Sequence, residues 1–237
     1  MKGRTILDKI TDTASKGGKM MAVLIDPDKF PLAEAPGFFE KIPAETTHIF
    51  IGGSTVKDGE TEKVLDHILQ YTRLPTVLFP GSSNQICHRA DALLFLSLLS
   101  GRNPEYLIGQ QLRAVPALKE SSLEIIPTAY LLIDGGWETA VQRVTGTTPI
   151  CQKEVQTIVD TALAGQFSGK RLIYLEAGSG AEYPVGKKVI SEVKRNIRVP
   201  LIVGGGLRSR RQIEAAYSAG ADMVVVGTAF EGSGFLE

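Results

Sequence analysis

The feature that most limits what this chain can fold into is a recurring unit: a short apolar run that ends at Gly, Pro, Asp or Ser, in several cases followed by residues at helical spacing. Eight such runs occur, at residues 21–25, 48–51, 76–79, 92–96, 125–133, 171–176, 200–203 and 222–226. They lack clean polar alternation, as expected of strands covered on both faces. Between them, Val64, Leu65, Ile68 and Leu69, and again Val155, Ile158, Val159 and Ala162, fall on one face of a helix. The combination predicts a parallel sheet with crossover helices. Eight strands in 237 residues leave roughly 30 residues per unit, which suits a compact (β/α)8 TIM barrel, whereas a doubly wound sheet usually has fewer strands. A single α/β barrel domain over residues 1–237 is therefore expected.

Local signals agree. Ser209 followed by Gln212 matches a capping box, and Gly220 stands where that helix should stop. Residues 80–91 are too few for a full crossover helix, which predicts a shortened, mobile unit at the rim after the third strand. Residues 1–19 read as a mixed polar helix around Ile6, Leu7 and Ile10, with no apolar export segment. The longest nearly apolar run, residues 92–99, is too short to span a bilayer.

Composition narrows the partners. Twenty-six basic residues balance twenty-six acidic ones, so neither nucleic acid nor an anionic membrane surface is the expected partner; a small, locally charged ligand is. Cys87 and Cys151 fit neither a metal-ligand spacing nor a disulfide framework, in keeping with a reducing cytoplasm.

In a barrel of this kind the active site is built from the loops after the strand C-termini. Gly178-Ser179-Gly180 follows the sixth run, Gly204-Gly205-Gly206 the seventh and Gly227-Thr228 the eighth. Glycines there let main-chain N–H groups and a helix N-terminus converge on a phosphate, and this is the usual phosphate location in barrels. The plain alternative is a set of tight turns. On the sixth run Tyr174 and Glu176 are two apart and share a face toward the top of the interior, making Glu176 a candidate general base; a structural ion pair is the alternative. Asp26 ends the first run and is held extended by Pro27. With Ser54 in the loop one strand away, it suits Mg²⁺, which takes one or two carboxylates and completes its shell with hydroxyls, water and ligand phosphate oxygens. A turn-forming Asp is the alternative. His48, His67 and His88 show no ligand spacing and read as structural or surface residues. Asp134, before Gly135-Gly136, reads more as a turn residue than as a catalytic one. Trp137 suits a subunit contact or an apolar groove.

Six stretches taken together resemble one family. They are residues 174–180 (Tyr-Leu-Glu-Ala-Gly-Ser-Gly), 24–29 (Leu-Ile-Asp-Pro-Asp-Lys), 51–54 (Ile-Gly-Gly-Ser), 78–82 (Leu-Phe-Pro-Gly-Ser), 203–209 (Val-Gly-Gly-Gly-Leu-Arg-Ser) and 226–228 (Val-Gly-Thr). The chain thereby resembles the geranylgeranylglyceryl-phosphate synthase family of prenyltransferases. The resemblance implies Mg²⁺-dependent transfer of a polyprenyl group, such as geranylgeranyl, from its diphosphate to the 3-hydroxyl of sn-glycerol 1-phosphate. Pyrophosphate is released, and the product belongs to ether-lipid biosynthesis. It further implies Asp26 and Ser54 as metal ligands, and Glu176 as the base with Tyr174 beside it. The glycerol-phosphate site would be Tyr174, Leu175, Glu176, Ala177, Gly178, Ser179, Gly180, Gly205, Gly206, Gly227 and Thr228. Part of that family carries a Lys two residues before the metal-binding Asp. This sequence has Leu24 there, which aligns it with the branch that holds the phosphate mainly by backbone, with Arg208 as a nearby candidate cation. A cytoplasmic homo-oligomer is implied as well. The prenyl tail needs an apolar groove, expected to open between residues 80–91 and 95–99. Two rivals stand beside this reading. One is a sugar-phosphate isomerase of the histidine-biosynthesis type using Asp26 and Asp134, and the other is a non-catalytic phosphate sensor.

Overall fold

In the computed structural model, which describes residues 4–227, eight parallel strands close into a barrel in sequence order. The strands are β1 (Met20–Ile25), β2 (Thr46–Ile51), β3 (Thr76–Leu78), β4 (Ala92–Leu98), β5 (Glu124–Leu132), β6 (Leu172–Glu176), β7 (Leu201–Gly204) and β8 (Met223–Val226). The ring closes where β1 pairs with β8, Met20 opposite Met223. The helices are α1 (Ile6–Ser15), α2 (Ala35–Lys41), α3 (Glu60–Ile68), α4 (Gln110–Lys119), α5 (Ala140–Thr145), α6 (Val155–Phe167), α7 (Lys187–Asn196) and α8 (Arg210–Ala219). A π-helical turn over Glu105–Gly109 leads into α4. No helix among the described residues is long and apolar enough to cross a membrane.

The run lengths explain the two cores. Alternate residues of each strand face opposite sides. Val23, Ile49, Leu93, Leu131, Ile173 and Val203 pack outward against the helix layer with Leu65, Ile158 and Ile190. Ala22, Phe50, Val77, Leu94, Ile126, Tyr130, Tyr174, Ile202 and Val225 fill the barrel itself. A barrel of eight strands is just wide enough for its side chains to fill.

Some boundaries differ from the sequence reading. β2 begins two residues before His48, at Thr46, because Ile49 and Ile51 already have partners on β3 and the ladder with β1 extends back to Thr46. β4 runs past Leu96 to Leu98, since its pairing with β5 continues through Ser97 and Ala129. The unit after β3 is short, as expected, holding only a single 3₁₀ turn (Ser83–Gln85). It is pinned rather than loose: Gln85 and Cys87 are buried, and Asn84 Nδ2 donates to the Val56 carbonyl at 3.3 Å. Ser209 caps α8 by accepting from the Gln212 N–H, but the Gln212 side chain accepts from Arg208 N instead of completing the reciprocal bond.

The N-terminal helix expected around Ile6, Leu7 and Ile10 is α1, and the structure adds its role. Ile6 and Ile10 pack into the interior cluster and close the bottom of the barrel. The helix N-terminus is held by Glu124, the first residue of β5, whose carboxylate accepts from Ile6 N at 2.5 Å and Leu7 N at 3.0 Å. A carboxylate at a helix N-terminus satisfies orphan N–H groups and meets the positive end of the dipole.

Candidate active site

At the opposite end the strand C-termini surround a cleft of about 470 Å³. Its floor is aromatic. Tyr174 stacks on Phe79 with ring centroids 5.1 Å apart, and Tyr130 lies 5.4 Å from Tyr174.

One side of the cleft is made of glycine loops. Gly178, Ser179, Gly180, Gly205, Gly206 and Gly227 all line it, so the three clusters do converge; Thr228 lies outside the described residues. Gly205 shows why the residue type matters. Its φ is +81°, and a Cβ there would overlap Glu176 Oε1 and the Gly178 N–H. Only glycine lets the β6 and β7 loops meet over the carboxylate. Leu175 and Ala177 alternate with these residues and turn outward into the sheet–helix core. Neither side chain lines the cleft, and the Ala177 N–H is taken by the Gly204 carbonyl at 3.0 Å. Arg208 lines the rim and donates from Nη2 to the Ala181 carbonyl at 2.7 Å.

Glu176 sits at the foot of these loops, 6% exposed. Its Oε1 accepts from the Gly178 N–H at 2.7 Å, and among the described residues no cation is paired with it. Burial in this dry position raises its pKa to about 7, against the Gly178 N–H and the nearby Tyr174 hydroxyl, which favour the charged form. The Tyr174 hydroxyl is fully buried and makes no well-formed hydrogen bond within the protein. Burial first, and then the Glu176 charge, keep it protonated far above neutral pH. A carboxylate that ionises near 7 beside an uncommitted O–H donor is suited to accept a proton from a bound hydroxyl.

The other side carries charge. Asp26, Lys29, Ser54 and Gly81 line it, with Leu24 facing inward beside Gly227. Asp26 Oδ2 is 2.9 Å from Lys29 Nζ, and Oδ1 accepts from Asp28 N at 3.2 Å. No group of three or more His, Cys, Asp or Glu gathers among the described residues. The oxygen donors here include the Asp26 carboxylate and the Ser54 hydroxyl, with Asp28 and Thr55 also lining this side, a hard-oxygen set that fits Mg²⁺ better than a transition metal. Gly53 leaves space for ligand oxygens: a Cβ there would stand 3.0 Å from Asp26 Oδ1.

From this end an apolar arm runs between two walls. Residues 80–83, Ile86, Phe95, Leu96 and Leu98 form part of it, within the two stretches the sequence points to, and Leu93 and Leu94 join them. The rest comes from Tyr106, Gln111 and Ala114 on the π-turn and α4, and from Val141 and Val144 on α5. Tyr106 Oη donates to the Val144 carbonyl at 3.2 Å and joins the two walls. Sequence reasoning missed these walls, along with Phe79, Tyr130 and the cations Lys29 and Arg143. Parity along β3 and β5 would have pointed Phe79 and Tyr130 inward. No local signal marks which helices face each other across the cleft.

The remaining candidates fall elsewhere. Asp134 does not line the cleft, and its Oδ1 accepts from Gly136 N at 2.9 Å, the turn role. His48 is buried at the start of β2, its pKa lowered to about 4 mainly by burial. His67 bonds the Leu32 carbonyl and His88 is exposed. Trp137 is 69% exposed and away from the cleft.

Comparison with known proteins bears on this arrangement. The model of the PcrB family matches residues 17–236. A geranylgeranylglyceryl phosphate synthase from Zunongwangia profunda is 55% identical over 97% of this chain and 98% of its own length. One from Flavobacterium johnsoniae is 49% identical over 96% and 94%. Among solved structures, the (S)-3-O-geranylgeranylglyceryl phosphate synthase of Thermoplasma acidophilum, in complex with its substrate sn-glycerol-1-phosphate, superposes with a TM-score of 0.91. It is 38% identical and aligns over 98% of this chain and 93% of the other.

Proposed function

This chain belongs to the PcrB family, that of the geranylgeranylglyceryl phosphate synthases, and on that premise we propose that it transfers a polyprenyl group from its diphosphate to the 3-hydroxyl of sn-glycerol 1-phosphate. The observation that carries the reading is Glu176: a buried carboxylate with a pKa of about 7, walled by glycine loops on one side and open to the cleft on the other.

In this reading the phosphate of glycerol phosphate rests against the N–H groups around Gly180, Gly205, Gly206 and Gly227, assisted by Arg208. Its 3-hydroxyl then points down toward Glu176. The Tyr174 hydroxyl, close to Glu176, donates to the reacting oxygen or to Glu176. The prenyl diphosphate lies with its head at Asp26, Lys29 and Ser54 and its tail along the apolar arm. The C–O bond to the diphosphate breaks and pyrophosphate departs with the electron pair. The glycerol oxygen bonds to the freed allylic carbon, and its proton passes to Glu176. Mg²⁺, held by Asp26 and Ser54 together with diphosphate oxygens, would neutralise charge on the leaving group. The apolar arm excludes water from the allylic carbon, which otherwise would be hydrolysed. The same reading makes the chain a cytoplasmic enzyme of ether-lipid synthesis acting as a homo-oligomer. The isomerase alternative loses its second acid with Asp134 in a turn.

The test is direct. Purified protein is incubated with radiolabelled sn-glycerol 1-phosphate, Mg²⁺ and prenyl diphosphates of graded length, and lipid is extracted. Label should enter the organic phase only with both substrates and Mg²⁺ present. Labelled lipid with none of the chain lengths would overturn the reading and favour a non-catalytic sensor.

A further inference from the structure

The shortened unit after β3 does more than bridge two strands. The β2–β3 ladder ends where Phe79 N donates to the Ile51 carbonyl at 2.8 Å. Past that point Gly53 has no strand neighbour, and its N–H and C=O need partners of another kind. Gln85 supplies both. Its Nε2 donates to the Gly53 carbonyl at 2.9 Å, and its Oε1 accepts from the Gly53 N–H at 3.3 Å. One side-chain amide thus pairs with both backbone groups of one residue, as a strand would. Gln85 is 1% exposed, so water cannot readily substitute for either bond.

Two further contacts hold the same loop. Gly81 packs its backbone against it, so that a Cβ there would stand 2.7 Å from the Ser54 carbonyl oxygen. Asn84 Nδ2 reaches the Val56 carbonyl at 3.3 Å and Asp58 Oδ1 at 2.5 Å. The unit is in turn tied to the wall of the apolar arm, Ser83 N donating to Gln110 Oε1 at 2.8 Å. Gly53 lies between Gln85 on one side and Asp26 on the other, and the next residue is Ser54.

We propose that Gln85 is a positioning residue for the diphosphate end of the cleft, acting through Gly53 to hold the Ser54 hydroxyl on the Asp26 side. The inference rests on the reading of Asp26 and Ser54 as the diphosphate end. A full helix at this place in the barrel would cover the outer face of the sheet but would bring no amide to Gly53. The short unit exchanges that cover for a two-point clamp beside the reacting head group.

The experiment is calorimetry on the full chain with two probes: a prenyl S-thiolodiphosphate, which is slow to ionise, in Mg²⁺, and sn-glycerol 1-phosphate. Gln85→Met removes both bonds at similar volume. It should weaken thiolodiphosphate about 10- to 100-fold, the usual effect of losing a group that orients a ligating residue, and leave glycerol phosphate within about twofold. Gln85→Asn keeps both donor and acceptor on a shorter stem and should lose less; it also serves if the Met variant does not fold. Because the effect runs through Ser54, Gln85→Met combined with Ser54→Ala should bind little worse than the weaker single variant. Equal loss of both probes, no loss of either, or additive losses in the double variant would make Gln85 merely structural. If Asp26→Ala and Ser54→Ala themselves bind thiolodiphosphate like wild type, the assignment of the diphosphate end fails, and the clamp with it. If those two weaken binding and the Gln85 variants do not, the clamp alone is wrong.

Discussion

Across the mouth of the barrel, the loops after β6, β7 and β8 offer glycines and main-chain N–H groups, whereas those after β1 and β2 offer Asp26, Lys29 and Ser54. The first side is built of backbone, whose dipoles are fixed by the strands that carry them. It suits an anion that must be held in one place while its hydroxyl reacts. The second side is built of charged side chains, Asp26 and Lys29 paired at 2.9 Å. It suits a leaving group whose charge changes during the reaction and must then be released. Glu176 stands on the rigid side, where an acceptor of protons gains most from fixed geometry. Under the proposed function, the contrast would let one cleft hold two phosphorylated ligands by different physics, and it is open to being broken.

The largest effect is expected at Glu176, which should leave both ligands bound and stop the chemistry. Glu176→Gln keeps the bond from Gly178 and removes the proton acceptor, so kcat should fall about 10²- to 10⁴-fold. In wild type, kcat/KM should rise with pH through about 7 and level above it, since the base works deprotonated. Stability runs the other way. The folded pKa of Glu176 is raised from its ordinary 4.5 to about 7. Its neutral form therefore supports the fold fully below about 4.5, and that support is lost as pH rises through about 7. Glu176→Gln should thus melt higher than wild type at pH 8, by an amount on the order of 1–3 kcal/mol, and equally at pH 4. A variant within threefold of wild-type kcat, or one that melts lower at pH 8, would return Glu176 to a structural role.

On the charged side, Asp26→Ala should cost roughly 10²-fold in kcat/KM for prenyl diphosphate, as loss of a Lewis-acid site worth several kcal/mol implies. Glycerol phosphate should bind it normally with or without Mg²⁺. Calorimetry that finds prenyl diphosphate binding wild type equally well in EDTA and in Mg²⁺ would remove the distinction between the two sides.

On the backbone side, Gly205→Ala should raise KM for glycerol phosphate roughly tenfold and leave that for prenyl diphosphate unchanged; because the added Cβ would overlap Glu176 Oε1 and the Gly178 N–H, kcat should fall as well. The strain of a side chain at φ +81° enters as well, so Gly59→Ala, at φ +82° with nothing within 4 Å, isolates it. Both variants should lose about 1–2 kcal/mol from the backbone strain; only the first should lose more stability through overlap with Glu176 and Gly178, and only the first should lose the ligand.

The smallest effect on activity belongs to the barrel floor. Glu124→Ala removes two charge-assisted bonds to α1 and should lower stability by about 2 kcal/mol, with kcat within about twofold of wild type. Thermal melting and steady-state kinetics on the same sample would separate the ends of the barrel.

Much of this was legible along the chain because its causes are local. The eight apolar runs mark strands buried on both faces, and each strand lies within two residues of its run at both ends. Glu176 ends its strand, the glycine clusters and Asp26 sit at or immediately after strand ends, and strand order alone brings strand ends to one rim. Side-chain parity put Tyr174 and Glu176 on the inner face. It also assigns Leu175 and Ala177 outward, although the family motif includes them.

What the tertiary structure alone decided joins residues far apart in sequence. The polar helix α1 became a floor because Glu124, 118 positions from Ile6, meets its N-terminus. The apolar arm arose because α4 and α5 face each other across a gap that neither helix encodes, and Gln85 found Gly53 across 32 positions. Periodicity and turn chemistry are properties of neighbours in sequence, readable from a few residues at a time. A side chain that pairs with a distant backbone leaves no such periodic trace, and its role is set only when the barrel closes.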